Sequence, residues 1–152
     1  MDTHGTKPAR IIPALGSLYD RLAPYAYPLI RITAGVMLIP HGWTKLVSGS
    51  PAGLAQGLAK MGLEPAYPLA VYIGGLELVG GAMLAAGLLT RVVAVQVVGF
   101  MAIAAFKAHW GNGFFWAARG YEYPLFWGLI AFAILIRGGG ALSLDRRIGR
   151  EF

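Results

Sequence analysis

Cysteine is absent from this chain, and only seven of its 152 residues are Asp or Glu. The first absence excludes disulfides, thiolate metal sites, iron–sulfur ligation and a dithiol relay, so any redox chemistry would need a bound carrier. Charge of either sign is sparse. Asp, Glu, Lys and Arg make up 13% of the residues, against about 25% in an average soluble domain. Residues 1–23 lack a long apolar core and a cleavage site, so no secretory signal is expected. What fills the chain instead is apolar: 57% of residues are hydrophobic and the mean hydropathy is +0.60. The 22 glycines fit membrane helices, where glycine is more frequent than in soluble ones. The composition describes one integral membrane domain of a few helices.

The net charge of +6 does not point to nucleic acid, because most basic residues lie in the tails, where membrane topology places them. Four apolar segments emerge, at about 24–47, 67–89, 92–109 and 119–136. Each approaches the roughly 20 residues needed to cross a hydrocarbon core about 30 Å thick. The third and fourth are shorter in their charge-free parts, and Lys107 and Arg119 would have to reach the interface along their stems. Lys7, Arg10, Arg21, Arg91, Arg137, Arg146, Arg147 and Arg150 fall on one side, against Lys45, Lys60, Lys107 and Arg119 on the other. That bias places both termini in the cytoplasm. Ile11, Leu15, Leu18 and Leu22 recur at helical spacing, which predicts an amphipathic helix lying on the membrane surface before the first span. The expected architecture is therefore all-α: a cytoplasmic tail with an interfacial helix over 1–23, a four-helix transmembrane bundle over 24–137, and a basic cytoplasmic tail over 138–152.

Within these spans the polar residues stand out. A charged side chain at mid-helix costs roughly 2.5–3.5 kcal/mol to insert, yet Arg31 and Glu77 both lie near the middle of apolar segments. At 100° per residue, Arg31, His41 and Lys45 share an arc of about 80°, with Gly35, Leu38 and Gly42 on or beside it. Gly74, Glu77 and Gly81 share a face of the second segment, and small residues on such faces let helices approach closely. A bidentate Arg31–Glu77 pair is the expected link between the two. In the third segment Gln96, Gly99, Ile103 and Lys107 form a stripe, and His109 points away from it if the helix stays regular. His41, Lys45, Lys107, His109 and Glu122 gather at the outer end, level with Trp43, Trp110, Trp116, Tyr121 and Tyr123. The tryptophans suit an aromatic belt and, alternatively, a platform for a quinone ring. His41 beside Glu77 and Lys45 could exchange protons with a quinol. A bis-histidine haem between His41 and His109 has less behind it, as two histidines are a weak signature; a metal site built from these groups is not expected.

In this order the residues resemble the DoxX family of small membrane proteins. The resemblance is carried by Arg31, His41-Gly42 with Lys45, Gly74-Gly75-Leu76-Glu77-Leu78-Val79-Gly80-Gly81, Gly87-Leu88-Leu89-Thr90-Arg91, His109-Trp110-Gly111-Asn112-Gly113, Glu122-Tyr123-Pro124-Leu125 and Gly138–Asp145. It implies a four-helix bundle in the bacterial plasma membrane and similarity to a subunit of a thiosulfate:quinone oxidoreductase. The expected function is a redox subunit linked to the quinone pool, with no covalently bound cofactor and with electrons supplied by a partner subunit or soluble reductant. In that reading Glu77 with His41 or Lys45 moves protons, Arg31 orients Glu77, and Lys45, Lys107, His109 and Glu122 contact the ligand. Two alternatives stand beside it: a non-catalytic membrane scaffold that recruits or stabilises a partner, and a small-solute permease that would need a homo-oligomer. Ser143 and Asp145 are expected to organise the cytoplasmic end, Ser143 as a helix cap.

Overall fold

Apolar runs of this length bury their backbone polar groups by forming helix, since lipid offers those groups no partner. A computed structural model describes residues 10–151, and among them there is helix and no strand. The Lys7 component of the charge bias and the rest of residues 1–9 lie outside the described residues.

The first helix, α1 (Gly16–Leu46), is 31 residues long and carries Pro24, Pro28 and Pro40 internally. At about 1.5 Å per residue it spans roughly 46 Å, more than a bilayer core requires. A short helix, α2 (Ala52–Lys60), lies inside the first loop. The second long helix, α3 (Ala66–Ala86), and the third, α4 (Thr90–Asn112), are joined by a tight turn. Beyond a loop of 3-10 turns comes α5 (Glu122–Arg137), and a last short helix, α6 (Leu144–Ile148), closes the chain. By length and composition α1, with the turn before it, α3 and α4 are able to cross a membrane. The 16 residues of α5 are fewer than a full crossing ordinarily uses.

The stretch expected to lie as a separate interfacial helix is instead continuous with α1 from Gly16 onward. No element boundary occurs at Pro24, which lies inside the continuous helix. Ile11, Leu18 and Leu22 are exposed. The first loop is partly helical, as its glycine and proline content suggested.

The helices pack as α1 on α3 and α4 on α5. A central core of Ala34, Leu38, Leu76, Leu84, Val93, Val97, Met101, Ala131 and Ile134 joins all four. A second, smaller core of Ala55, Leu58, Ala66, Ala70 and Ile73 lies under α2. Large apolar side chains cover the outside as well: Leu29, Ile30, Val36 and Met37 on α1, and Phe126, Leu129, Phe132 and Ile136 on α5, are all exposed. Such a surface suits lipid and not water. The approach of α1 to α3 depends on glycine. A Cβ on Gly35 would strike the Gly81 carbonyl and the Ala85 backbone, and one on Gly42 would lie 2.6 Å from the Gly74 carbonyl. The two glycine pairs read from the sequence face each other.

Candidate functional site

The buried charges divide into two separate constellations, and the expected Arg31–Glu77 pair is not among them. Arg31 is 1% exposed. It donates from Nη1 to the Leu84 carbonyl at 3.1 Å and from Nη2 to the Leu142 carbonyl at 2.6 Å. Leu84 lies in the last turn of α3, where unpaired carbonyls and the helix dipole favour a cation. Room for the guanidinium comes from Gly87, which has φ +72° and where any Cβ would collide with Nη1. Sequence reasoning paired Arg31 with the nearest opposite charge in the apolar spans; the winning partners are main-chain carbonyls, which no residue type announces.

Around this post the turn between α3 and α4 is fastened to the C-terminal segment. Asp145 is buried and accepts from the Leu89 amide at 2.7 Å, the Thr90 amide at 2.9 Å and the Thr90 hydroxyl at 2.7 Å. It caps the start of α4 from 55 residues away in sequence. The Asp145 amide in turn donates to the Gly87 carbonyl at 2.9 Å. Ser143 caps α6, accepting from the Arg146 amide at 3.2 Å, as its position predicted. The Tyr27 hydroxyl donates to the Gly138 carbonyl. Asp145→Ala would strand three donors and remove a helix cap, a loss of about 2–3 kcal/mol; Asp145→Asn, which keeps one acceptor oxygen, should fall between it and the parent. Thermal unfolding in detergent measures the order.

The second constellation lies toward the other end of the bundle. Lys45 donates from Nζ to both carboxylate oxygens of Glu77, at 2.8 and 2.6 Å. Glu77 is buried and Lys45 half-buried, with 24% of its side chain exposed. Glu77 sits in a π-helical stretch of α3, Leu76–Gly80, and a second π stretch in α4, Ala104–His109, carries His109. A π turn widens the helix by one residue and rotates the face on which later residues lie, and such turns recur at functional sites. For His109 the shift is decisive. A regular helix would aim it off the stripe; the π turn brings it to the wall of a cavity of about 200 Å³ that Glu77 and His41 also line. The irregularity has no sequence signature here, which is why the sequence reading turned His109 away.

The remaining walls are apolar and aromatic: Met37 and Leu38 from α1, Phe100 and Met101 from α4, and Trp116, Tyr123 and Trp127 from the last loop and α5. Trp116 and Tyr123 stack at 4.8 Å between ring centroids, and the His109 ring lies 5.7 Å from that of Trp116. His109 Nδ1 is 2.7 Å from the Arg119 carbonyl. A carbonyl can only accept, so Nδ1 carries the hydrogen and Nε2 of the neutral ring is left as a base. Asn112 donates to the same carbonyl at 3.1 Å, and Arg119 holds a left-handed backbone at φ 60°. The structure thus brings Glu77, Lys45, His41 and His109 together. It does not bring in the other expected residues. Lys107 is exposed and does not line the cavity, and Glu122 accepts from the Trp116 amide at 2.9 Å, fixing the loop that carries an aromatic wall. Trp127 and Phe100 were missed as site residues; each reads as an ordinary apolar position within its helix.

The profile of the DoxX family matches residues 27–110, a span that includes Arg31, Glu77, Lys45 and His109. The chain belongs to the DoxX family. Among its relatives, a Haemophilus influenzae protein described only as uncharacterized is 32% identical over 135 residues, covering 87% of this chain and 97% of the relative. An uncharacterized membrane protein of Mycobacterium tuberculosis is 30% identical, with 91% of each chain covered. The inner membrane protein YqjF of Escherichia coli is 31% identical, over 80% of this chain and 91% of the relative. No solved structure matches. This DoxX chain is a membrane protein, and the names of these three relatives specify no reaction.

Proposed function

We propose that the cavity between α1, α3, α4 and α5 receives the ring of a quinone, and that the chain is the quinone-binding, proton-supplying subunit of a membrane redox complex. The observation that carries the reading is that the Glu77 carboxylate, paired with Lys45, and the His109 imidazole meet at one small cavity otherwise walled by Trp116, Tyr123 and Trp127. A quinone has two carbonyl oxygens on a flat apolar ring, and it needs a hydrogen-bond donor at the oxygens and aromatic faces against the ring. Pockets for small ligands take this form, mostly apolar with a few placed polar groups. Reduction adds two electrons and two protons to give the quinol. Protonated His109 would deliver one proton from Nε2 and the Lys45–Glu77 pair the other, with His41 at the cavity mouth as the route to water. The two electrons come from a partner subunit carrying a flavin or metal centre, since a chain without cysteine has no dithiol couple to supply them.

In this reading α5 makes a fourth crossing, extended at both ends by irregular backbone, with its exposed Phe126, Leu129, Phe132 and Ile136 facing lipid. Four crossings set both termini on the cytoplasmic side of the plasma membrane, in accord with the basic residues at that end.

Binding of a tail-less benzoquinone to the protein in lipid nanodiscs, monitored by quenching of tryptophan fluorescence, tests the proposal. Saturable quenching is expected. His109→Ala should weaken binding about tenfold or more, the loss of one hydrogen bond involving a charged group being about 1.5–3 kcal/mol. Absence of saturable binding by the folded parent protein overturns the reading.

A further inference from the structure

A second cavity, larger than the first at about 540 Å³, lies between α2, α3 and α4. Its lining is almost wholly apolar: Leu54, Leu58 and Met61 from the α2 region, Leu69 and Ile73 from α3, and Ile103 from α4. Besides His109 at one end, two polar side chains border it, and they satisfy each other. The Tyr72 hydroxyl donates to Gln96 Oε1 at 2.6 Å, while Gln96 Nε2 donates to the Val92 carbonyl at 2.8 Å. An occupant would therefore be offered apolar surface along the length of this groove.

The groove and the aromatic cavity share a wall made of Phe100, Ala104 and His109. Phe100 is half-buried and packs against both hydrophobic cores, so it is the partition between the two spaces. Ala104 and His109 belong to the π stretch of α4. The same local widening that turns His109 toward the first cavity leaves its ring on the wall shared with the second. Gly99, one residue before the partition, opens the groove further: a Cβ there would meet nothing within 4 Å.

We propose that this groove holds the isoprenoid tail of the quinone whose ring occupies the aromatic cavity, with Phe100 swinging aside to let the tail cross the shared wall. The inference rests on the proposed function and adds a second subsite to it, the place where the tail of the membrane quinone lies. A flat ring with acceptor oxygens matches the smaller chamber, and a long apolar chain matches the larger. The helix α2 roofs the groove, so the tail lies against protein along part of its length and reaches lipid beyond Ile103.

A tail gains little by leaving lipid for an equally apolar groove, because the bilayer is as good an apolar solvent as a leucine side chain. The groove therefore acts by permission: a ring can seat only if its tail has somewhere to go. Filling the groove should exclude tailed quinones and spare tail-less ones. The test compares a tail-less benzoquinone with the same ring bearing a chain of about ten carbons, in nanodiscs, on the parent, Gly99→Ala and Gly99→Leu proteins. The Leu variant should bind the tailed ring at least about tenfold more weakly than the parent does, a difference of about 1.4 kcal/mol. A smaller loss is expected for Ala, with no change in tail-less binding and no fall in melting temperature. If the tailed ring binds the parent and the Leu variant alike, the groove does not hold the tail, although the ring site stands. The tail assignment also fails if Gly99→Leu only displaces a co-purified phospholipid. Failure of the tail-less ring to bind the parent removes the proposed function itself, a result separable from the other two.

Discussion

Gly42→Ala should destabilise the protein by about 3 kcal/mol, the upper part of the usual range for overpacking, whereas Gly75→Ala should leave it unchanged or gain up to about 1 kcal/mol from helix propensity. Both residues lie in long helices and both changes add one methyl group. The difference is what the methyl meets. At Gly42 it would run into the Leu78 amide nitrogen and the Gly74 carbonyl, and so into the backbone of α3. Backbone cannot turn aside as a flexible side chain does, so α1 and α3 must separate, and the Leu38–Leu84 region of the core would loosen with them. At Gly75 nothing lies within 4 Å. Gly35→Ala should behave like Gly42→Ala, since Gly81 and Ala85 block it in the same way. Folded yield and thermal unfolding in detergent read the contrast, and equal effects at positions 42 and 75 would contradict the close crossing of α1 and α3.

That crossing was legible in the sequence because it depends on periodicity. Gly35 and Gly42 are seven residues apart, as are Gly74 and Gly81, and a spacing of two turns survives any small error in helix phase. The helical class and the approximate span positions were legible for a similar reason, since a long apolar run has one satisfactory backbone solution in lipid. The start of α1 was not, because the stripe through Leu22 continues smoothly into the span and a proline at position 24 does not by itself end a helix. Asp145 was expected to organise its end of the protein, but its three donors lie on a turn more than fifty residues away, a tertiary fact without a local pattern. Glu77, Lys45, His41 and His109, which meet at or beside the cavity, stand out in the sequence as polar residues in or at the ends of apolar spans, but their wiring does not. Two π stretches rotate the faces that a regular-helix projection uses, and a buried arginine was matched to a carboxylate when carbonyls at a helix end could satisfy it as well. The physical consequence is a separation of labour: Arg31 with Gly87 and Asp145 fastens the termini of helices, while Glu77 with Lys45 faces a cavity.

The separation makes a second large effect calculable. Lys45→Met should cost about 3 kcal/mol, the lower end of the range for breaking a buried ion pair. The carboxylate it abandons is buried, and among the described residues no other cation bonds to it. Lys45 is itself 24% exposed, so water softens the loss and argues against the upper end of that range. Glu77→Gln should cost less, about 1–2 kcal/mol, because the freed ammonium can extend along its stem to the interface and the amide oxygen still accepts one bond. Replacing both members with apolar residues of similar volume, Lys45→Met with Glu77→Leu, should recover most of the single-variant loss, as a neutral pair leaves no charge unpaired. A double-mutant cycle between Lys45 and Glu77 should therefore give a coupling of about 3 kcal/mol, and one between Arg31 and Glu77 should be additive within about 0.5 kcal/mol, as expected of sites that share no partner. The opposite pattern, with Arg31 coupled and Lys45 silent, would restore the pair that the apolar spans first suggest. If the cycle agrees with the geometry while the double apolar variant folds but no longer binds quinone, the Lys45–Glu77 pair is retained for what it does at the cavity, since stability alone does not require it.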